Sequence, residues 1–488
     1  MKITISVLKP LLRSGTTINC RRFATALAVE DNLIHQKQPL IIEEDNQKYT
    51  FYHKDLQIER AEIWQMQDKP DKYEQLKFGH HYADHMIGVD WSEEKGWTQP
   101  QITPVSEIRL HPGAKVFHYA VSLFEGMKAY RGVDDRIRLF RPEMNISRMR
   151  KTAARSSLPD FDGDELLKII TELVRLDKEW VPYSSTASLY IRPTMIGTDP
   201  TLGVANPKNA KLFVLSGPVG SFYSTGFNPV SLFADPSFVR AFPGGVGSFK
   251  MGCNYAPTIM LGKIASEFGC QQVLWLSGED QKLTEVGSMN IFLYWINEEG
   301  EKELITPPLD DGLILPGIVR ESVLTLVREW DEFKVSESYP TISQMKKAIA
   351  EKRLLQIFGT GTAVALVPVG RIVFRNQETN SIEDFKIPTM NSGATVMQRL
   401  YETIIDIQQG RRDRPEWIYL LQIFGTGTAV ALVPVGRIVF RNQETNSIEE
   451  FKIPTMNSGA TVMQRLYETI IDIQQGRRDR PEWIYVID

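Results

Sequence analysis

The feature that most constrains the fold of this 488-residue chain is a near-perfect repeat at its C-terminal end. Residues 354–419 and 420–485 align without a gap and differ only at Asp384 and Glu450. Solenoid repeats diverge and need several units to bury a core, so this repeat indicates a recent tandem duplication or an error in assembling the sequence. The second copy could replace the first only by looping it out, at a cost of roughly 4 kcal/mol. We therefore predict that residues 420–488 are a non-functional duplicate.

Upstream of the repeat, strand-like segments alternate with amphipathic helices. Segments rich in β-branched and aromatic residues cover 188–197, 211–220, 272–278 and 289–297. Apolar residues at helical spacing predict helices over 164–180 and 317–330. A helix inside the first copy, capped by Ser392 and ended by Gly410, would bury Met397, Leu400, Ile404 and Ile407. The pattern predicts a mixed α/β (α+β) fold.

We expect two domains after a leader segment. Residues 51–217 form a small α/β domain, residues 218–229 an interdomain loop, and residues 230–419 a larger domain. The leader is residues 1–50, whose first 29 residues hold five lysines or arginines and no acidic residue. That composition is typical of a mitochondrial transit peptide, with a disordered start as the alternative. The predicted location is mitochondrial, or otherwise cytoplasmic.

Charge and cysteine content exclude several kinds of function. A formal net charge of -4 gives no overall attraction to nucleic acid or anionic membranes. No apolar run approaches the length of a membrane span. The three cysteines form no CxxC pair, so neither a disulfide framework nor a zinc site is indicated, and no metal is expected.

A lysine in a glycine-rich, apolar window is the first candidate for chemistry. In GGVGSFKMGCNYAP (244–257), Lys250 is the only charged residue between Arg240 and Lys263. Burial favours the neutral amine, which is nucleophilic toward a carbonyl and forms Schiff bases. The glycines would let the backbone approach a flat cofactor. A lysine that extends from the loop into water is the alternative.

Three further motifs carry groups that one cofactor would need. Glu285 lies beside an apolar strand, where a buried carboxylate could pair with a protonated ring nitrogen, unless it lies at the surface. The helix start near Ile318 and Val319 and the turn FGTGTA (358–363) offer backbone N–H groups to a phosphate. One arginine of the basic run 148–155 could bind the same phosphate, although such a run is usually solvated. Together these groups describe pyridoxal 5′-phosphate.

Several segments closely match a known family. YAVSLFEGMKAYRG (119–132), SLYIRPTMIGTDPTLGV (188–204), GGVGSFKMGCNYAPT (244–258), LTEVGSMNIF (283–292) and LPGIVRES (315–322) resemble the branched-chain amino acid aminotransferases, pyridoxal-phosphate enzymes of fold type IV. The resemblance runs from about Phe78 to Tyr419. It implies a small N-terminal α/β domain and a larger C-terminal domain with a barrel-like sheet.

The resemblance also implies a reaction. The amino group of L-leucine, L-isoleucine or L-valine would move to 2-oxoglutarate through a Schiff base of pyridoxal phosphate on Lys250, giving branched-chain 2-oxo acids and L-glutamate. Such a transaminase serves the biosynthesis or the catabolism of branched-chain amino acids. Two alternatives stay open: another fold type IV enzyme, such as a D-amino-acid aminotransferase or an aminodeoxychorismate lyase, and a pseudoenzyme disabled by the C-terminal duplication.

Roles for individual residues follow from the same resemblance. The catalytic residue is Lys250, and the cofactor-binding residues are Lys250, Arg148, Tyr255, Glu285, Ser288, Ile318, Val319 and Thr362. The substrate-binding residues are Tyr119, Phe124, Tyr190, Arg192, Thr362 and Ala363, with Val204 from the partner subunit of a homodimer. Ser288 stands where many relatives have threonine, and residues 364–367 lack the CxxC of the mammalian members. We expect Thr362 in the site and its second-copy equivalent, Thr428, outside it.

Overall fold

The structure, a computed structural model, describes residues 49–70, 73, 76–184, 186–220, 228–390, 396–420, 437–442 and 447–452. These residues all belong to one unit of the chain, Tyr49–Asp488. The predicted leader lies outside them apart from its last two residues, and so do Ser392, Thr428 and residues 221–227 of the predicted interdomain loop. No helix of the described part is long and apolar enough to cross a membrane.

Strands and helices alternate along the described chain, so the predicted mixed α/β fold is confirmed. The strands are β1 Gln57–Ile58, β2 His85–Ser92, β3 Gly96–Trp97, β4 Gln101–Pro104, β5 Ser122–Phe124, β6 Met127–Arg131, β7 Ile137–Phe140, β8 Ser188–Gly197, β9 Asn209–Val219, β10 Val230–Ala234, β11 Gln272–Ser277, β12 Lys282–Val286, β13 Met289–Ile296, β14 Lys302–Thr306, β15 Lys334–Glu337, β16 Leu354–Thr360, β17 Leu366–Asn376, β18 Ser381–Lys386, β19 Ile418–Leu420, β20 Arg437–Asn442 and β21 Ser447–Lys452. The α-helices are α1 Lys115–Tyr119, α2 Pro142–Arg155, α3 Gly163–Leu176, α4 Thr258–Glu267, α5 Ile318–Trp330, α6 Ile342–Ala350 and α7 Val396–Gln408.

The first sheet contains the strands of the N-terminal half and one late strand. Its order is β1-β4-β2-β9-β8-β6-β7-β19, with β3 paired to β2 and β5 paired to β8. Helices α2 and α3 bury Met149, Ile169 and Leu173 in one apolar cluster with sheet residues such as Leu189 and Val214. The Asp162 carboxylate starts α3 by accepting hydrogen bonds from the N–H groups of Asp164 and Glu165.

The second sheet closes on itself as a barrel. Its order is β12-β11-β10-β17-β16-β13-β14-β15, with β18 paired to β17 and a further pairing between β12 and β13. Six strands, β10 to β13 with β16 and β17, therefore form a closed ring, which confirms the expected barrel-like sheet. On neighbouring strands of the ring, Glu285 of β12 pairs with Asn290 of β13, and Asn290 pairs with Thr360 of β16. Three polar residues therefore lie in one row.

Helices α5 and α7 cover one side of this barrel. Leu324 and Leu400 lie in one apolar cluster with the strand residues Phe292 and Phe358, whose rings stack with centroids 5.2 Å apart. The face predicted for the first-copy helix, Met397, Leu400, Ile404 and Ile407, is fully buried. The packing of this helix shows why its apolar residues repeat at helical spacing.

One predicted helix is shorter than its apolar pattern indicated. The expected helix over 164–180 ends at Leu176, and Lys178–Trp180 is a separate 3₁₀ turn. Asp177 interrupts the helix because its buried carboxylate accepts from the backbone N–H of His85 and lies 2.6 Å from Nδ1 of the same residue. Trp180 is still buried, with its indole N–H donating to Asp84.

The two copies of the repeat occupy different positions. The first copy supplies β16, β17, β18, α7 and the first two residues of β19, which belong to the two large sheets and their covering layer. Apart from Leu420, which ends β19, the described part of the second copy is a separate two-stranded sheet, β20–β21, which runs from Arg437↔Lys452 to Asn442↔Ser447. The equivalent residues of the first copy pair in the same register, so this hairpin reproduces a local pairing without joining the barrel.

Candidate active site

A cavity of about 230 Å³ is lined by residues of both large sheets. It gathers eleven of the residues that the sequence singled out: Phe124, Arg148, Tyr190, Arg192, Lys250, Tyr255, Ser288, Ile318, Val319, Thr362 and Ala363. They come from the end of β5, from α2 and β8, from the loop before α4, from the β12–β13 turn, from the start of α5 and from the turn after β16. Residues far apart in the sequence therefore line one pocket.

Lys250 is anchored through its backbone and directs its amine toward a tyrosine. Its N–H donates to Thr152 Oγ1 (3.2 Å), and its carbonyl accepts from the N–H of Phe124 (3.1 Å). Nζ lies 3.2 Å from Tyr255 Oη and 4.6 Å from the centre of the Phe124 ring. Burial and, after it, the charge of Arg148 lower the pKa of Lys250 to about 7. A substantial fraction of this amine is therefore neutral and nucleophilic at neutral pH.

The glycines around Lys250 serve the packing of the protein itself. A Cβ on Gly252 would lie 2.4 Å from Ser122 Oγ, and one on Gly247 would lie 2.7 Å from the Leu313 carbonyl oxygen. Both positions exclude a side chain because neighbouring segments approach closely. The glycines were expected to make room for a flat cofactor, whereas these two make room for the protein's own chain.

Glu285 is buried on β12 and held from both sides of its carboxylate. Oε1 accepts hydrogen bonds from the Leu315 N–H (2.8 Å) and the Asn290 amide (3.4 Å), and Oε2 lies 2.8 Å from Arg240 Nε. Burial raises the pKa of Glu285, although the charge of Arg240 opposes this. Glu285 is not among the residues that line the cavity, but it contacts Asn290 and Leu315, which are. The alternative of a surface carboxylate is excluded.

Arg148 differs from the rest of the basic run. Arg150, Lys151 and Arg155 are exposed, but Arg148 is buried. Its guanidinium donates to both carboxylate oxygens of Glu125 (2.7 and 2.9 Å) and to the Pro316 carbonyl (2.9 Å). Burial alone would lower the pKa of Arg148, but Glu125 outweighs this effect and raises it. Arg148 therefore stays charged in the wall of the cavity.

Two groups of backbone N–H donors line the cavity without partners among the described residues. Helix α5 has no side-chain cap, so the N–H groups of Ile318 and Val319 at its first turn are unpaired. In the turn after β16, the Gly361 N–H donates to Val364, while the N–H groups of Thr362 and Ala363 donate to no described residue. Unpaired N–H groups at a helix start and in a tight turn are suited to bind anions.

Aromatic rings and one arginine form another part of the wall. The Arg192 guanidinium lies 4.7 Å from the centre of the Phe124 ring and donates to Tyr190 Oη (3.0 Å). The Phe78 ring contacts Tyr190 edge-on at 4.7 Å and lines the same cavity. This wall combines an apolar surface with a cation, which suits a ligand that has an apolar side chain or a second carboxylate.

Tyr119 and Val204 do not line the cavity of their own chain. Tyr119 is partly exposed and donates through its hydroxyl to the Leu202 carbonyl. Val204, two residues further along, is 83% exposed. The substrate-binding role of these two residues stays a prediction.

Four important contacts were missed from the sequence. Glu125 holds Arg148, Arg240 and Asn290 hold Glu285, and Phe78 lies against Tyr190. Glu125 stands beside Phe124 in the FEG motif, and Arg240 begins the stretch in which Lys250 is the next charged residue. These two positions were the signals that the sequence offered for Glu125 and Arg240. Their partners could not be found from them, because a pair of residues distant in the sequence leaves no periodic pattern.

Comparison with known proteins places this chain in a family. The model of a family described as "Amino-transferase class IV" matches residues 122–372, just over half of the chain. A cytosolic branched-chain-amino-acid aminotransferase of Caenorhabditis elegans is 59% identical over 78% of this chain and 91% of its own. A mitochondrial one of Bos taurus is 47% identical over 76% of this chain and 92% of its own.

A solved structure supports the fold. The branched-chain amino acid aminotransferase of Escherichia coli aligns with a TM-score of 0.55, covering 70% of this chain and 99% of its own. Its sequence identity is 20%, so this likeness concerns the fold alone. Family model, close relatives and fold agree with the resemblance noted in the motifs, and the chain belongs to the class IV aminotransferases, in the branched-chain-amino-acid aminotransferase family.

Proposed function

We propose that the protein transfers the amino group of L-leucine, L-isoleucine or L-valine to 2-oxoglutarate with pyridoxal 5′-phosphate as cofactor. The observation that carries this proposal is the Lys250 amine, which has a pKa of about 7 and lies 3.2 Å from Tyr255 Oη. Around it lie unpaired N–H donors, and Glu285 is buried close by. The 59% identity to a named branched-chain-amino-acid aminotransferase supports the substrate class.

The residues present fit this cofactor. A phosphate could accept from the unpaired N–H groups of Ile318 and Val319, with the charged Arg148 and the hydroxyl of Thr362 nearby. Ser288 lines the same cavity and offers a further hydroxyl. Glu285 is a buried carboxylate that can receive a ring N–H, and Tyr255 can donate to the ring's phenolic oxygen. When bound, pyridoxal phosphate supplies an electron sink for charge that develops at the substrate Cα.

The chain's own residues would orient the substrate and move the proton. Phe78, Phe124 and Tyr190 give an apolar wall for a branched side chain, and Arg192 supplies a cation for the distal carboxylate of 2-oxoglutarate. The N–H groups of Thr362 and Ala363 would bind the α-carboxylate. Lys250 Nζ would then take the proton from Cα and return it, since a neutral amine with a pKa of about 7 works in both directions near neutral pH.

A substrate panel tests the proposed function. Purified protein should be yellow and should transaminate leucine, isoleucine and valine with 2-oxoglutarate at least a hundredfold faster, in kcat/KM, than D-alanine. Borohydride should fix the cofactor to Lys250, as read by peptide mass. A preference for D-alanine, or release of pyruvate from aminodeoxychorismate, would favour another fold type IV enzyme. A colourless protein that no added cofactor reconstitutes would indicate a pseudoenzyme.

We further propose that the enzyme acts as a homodimer. Val204 is 83% exposed, and Tyr119 contacts Leu202 on the same surface, which also exposes Phe117. A partner subunit could cover these apolar residues and receive Val204 and Tyr119 at its cavity. Light scattering should give twice the mass of one chain, and a single-chain mass at assay concentration would refute this arrangement.

The first copy of the repeat, we propose, serves the site and the second does not. Thr362 lines the cavity, and β16 and β17 of its copy complete the barrel. Because the copies match, T362V and T428V are paired variants in the same chain. T362V should lower kcat/KM for leucine about tenfold, the effect of losing one phosphate hydrogen bond, while T428V should not change it.

Deletion of the second copy gives an independent check. A chain without residues 420–485 joins Tyr419 to Val486 and should keep its activity within twofold, with equal or higher soluble yield. Loss of cofactor binding in this deletion, or an equal effect of the two threonine variants, would contradict the assignment.

Domain boundaries and location remain proposals. The boundaries 51–217, 218–229 and 230–419 are supported by strands β1 to β9 of the first sheet, which end at Val219, and by the second sheet, which begins at Val230, while β19 returns to the first sheet. Limited proteolysis should cut first within 218–229. For location we propose mitochondria, from the basic composition of residues 1–29, although named relatives include both cytosolic and mitochondrial proteins. A fluorescent protein fused to residues 1–50 that stays in the cytosol would refute targeting.

A further inference from the structure

Lys128 lies behind the wall of the candidate site. It stands on β6 and lines a second, small cavity of about 20 Å³. Ile318, Val319, Gly361 and Thr362 line both this cavity and the larger one that holds Lys250. These four residues therefore form a thin wall, with Lys250 on one side and Lys128 on the other.

The amine of Lys128 makes one specific contact with that wall. Nζ donates to the carbonyl oxygen of Ala363 at 2.8 Å, across 235 positions of sequence. Among the described residues no carboxylate pairs with it. Removal of the ammonium group from water lowers the pKa of Lys128 to about 8. A partly buried lysine without an ion pair is costly, so its contact with Ala363 calls for a functional reason.

The Ala363 carbonyl belongs to the turn whose N–H groups are unpaired. Gly361 is fixed within the turn by its own hydrogen bond to Val364, whereas Thr362 and Ala363 have no described hydrogen-bond donor or acceptor besides Lys128. A turn with two unpaired N–H groups can rotate them away from a ligand unless another group fixes the turn. Lys128, which donates to the Ala363 carbonyl, is in position to fix it.

The neighbouring Glu125 performs a similar task for Arg148. Glu125 and Lys128 flank Gly126 and Met127, and each extends from this short segment to a cavity-lining group on another element. Glu125 orients a guanidinium, and Lys128 holds a backbone turn. Residues 125–128, at the junction of β5 and β6, thus support two anion-binding groups of the site at once.

We propose that Lys128 is a positioning residue that holds the Gly361–Ala363 turn, so that its free N–H groups and nearby positive charge receive the substrate carboxylate. The inference rests on the proposed function, in which that turn binds the α-carboxylate. The turn does not perform the proton transfer. Loss of Lys128 should therefore weaken the binding of carboxylates much more than it slows the reaction of the bound substrate.

The test compares K128M, which keeps the length of the side chain, with K128R, which keeps its charge and donors. In K128M the KM for leucine and for 2-oxoglutarate, and the inhibition constant of 4-methylpentanoate, should each rise at least tenfold, with kcat within threefold of wild type. K128R should return these constants to within threefold. K302M, an exposed lysine variant on another strand, is the matched control and should change none of them.

Three outcomes overturn the inference: unchanged carboxylate constants in K128M, a fall in kcat without a rise in KM, or a K128R as defective as K128M. If K128M does not fold, K128Q, which can still donate to Ala363 without a charge, should show an intermediate rise, and wild-type constants in K128Q would reject the role of the charge. Cofactor absorbance should be the same in all variants. A wild-type enzyme inactive with leucine would refute the proposed function instead.

Discussion

K250A is expected to lose transamination of leucine by at least about a thousandfold in kcat/KM. Among the described residues that line the cavity, Lys250 is the one lysine, so the substitution removes both the nucleophile for the cofactor aldehyde and the base for the Cα proton. Neither water nor a neighbouring side chain replaces a base that is held at a fixed distance. Steady-state kinetics with leucine and 2-oxoglutarate would measure the loss.

Two further measurements and a control variant would show that the loss of activity is specific to Lys250. Borohydride treatment should leave no cofactor attached to K250A, while its thermal unfolding temperature stays near that of wild type. K263A, which changes an exposed lysine of α4, should be as active as wild type. Turnover of leucine by K250A within tenfold of the wild-type rate would refute the central role of this amine.

E285Q is expected to lower kcat for leucine about a hundredfold or more while the protein stays folded. Glutamine keeps the shape of the side chain and can still accept the Leu315 N–H, but it cannot form an ion pair with a protonated ring nitrogen. It also leaves Arg240 buried without its carboxylate, so some loss of stability should accompany the kinetic effect.

The matched control is E298Q, because Glu298 is an exposed carboxylate outside the site, paired with Lys347. It should retain wild-type kinetics. The pH dependence of the bound cofactor's absorbance should differ from that of wild type in E285Q and match it in E298Q, since the altered partner sits at the ring. If E285Q retained half of the wild-type kcat, the assignment of Glu285 to the ring nitrogen would be wrong.

Much of the fold was predictable because its signals are local. The strand predicted over 188–197 is β8, residue for residue, and the helix predicted over 317–330 begins one position later. Periodicity also gave the buried face of α7. In contrast, the helix expected over 164–180 ends early, because Asp177 binds a histidine 92 positions away and no pattern within the helix reports that partner.

The candidate site was predictable through motifs and much less through physics. Composition around Lys250 left an amine that extends into water as the better supported alternative, and only the family motifs assigned its role. The pairs Glu125–Arg148 and Arg240–Glu285 gave no sequence signal, because each joins residues of different elements that come together only in the folded chain. Closure itself depends on the pairing of β12 with β13, which no sequence pattern indicated, and on β16 and β17 of the first copy, which the sequence did favour over the second.

Strand β19, at the junction of the two copies, limits how this protein can be divided into fragments. After passing through the barrel, the chain returns at Ile418–Leu420 to extend the edge of the first sheet beside β7, and Trp417 packs edge-on against Phe140. A fragment that stopped near residue 220 would lack this covering and leave β7 as a bare edge, open to pairing with other molecules. The sheet of the N-terminal half is therefore completed by a strand from the C-terminal half, and the two halves should not be treated as independent domains.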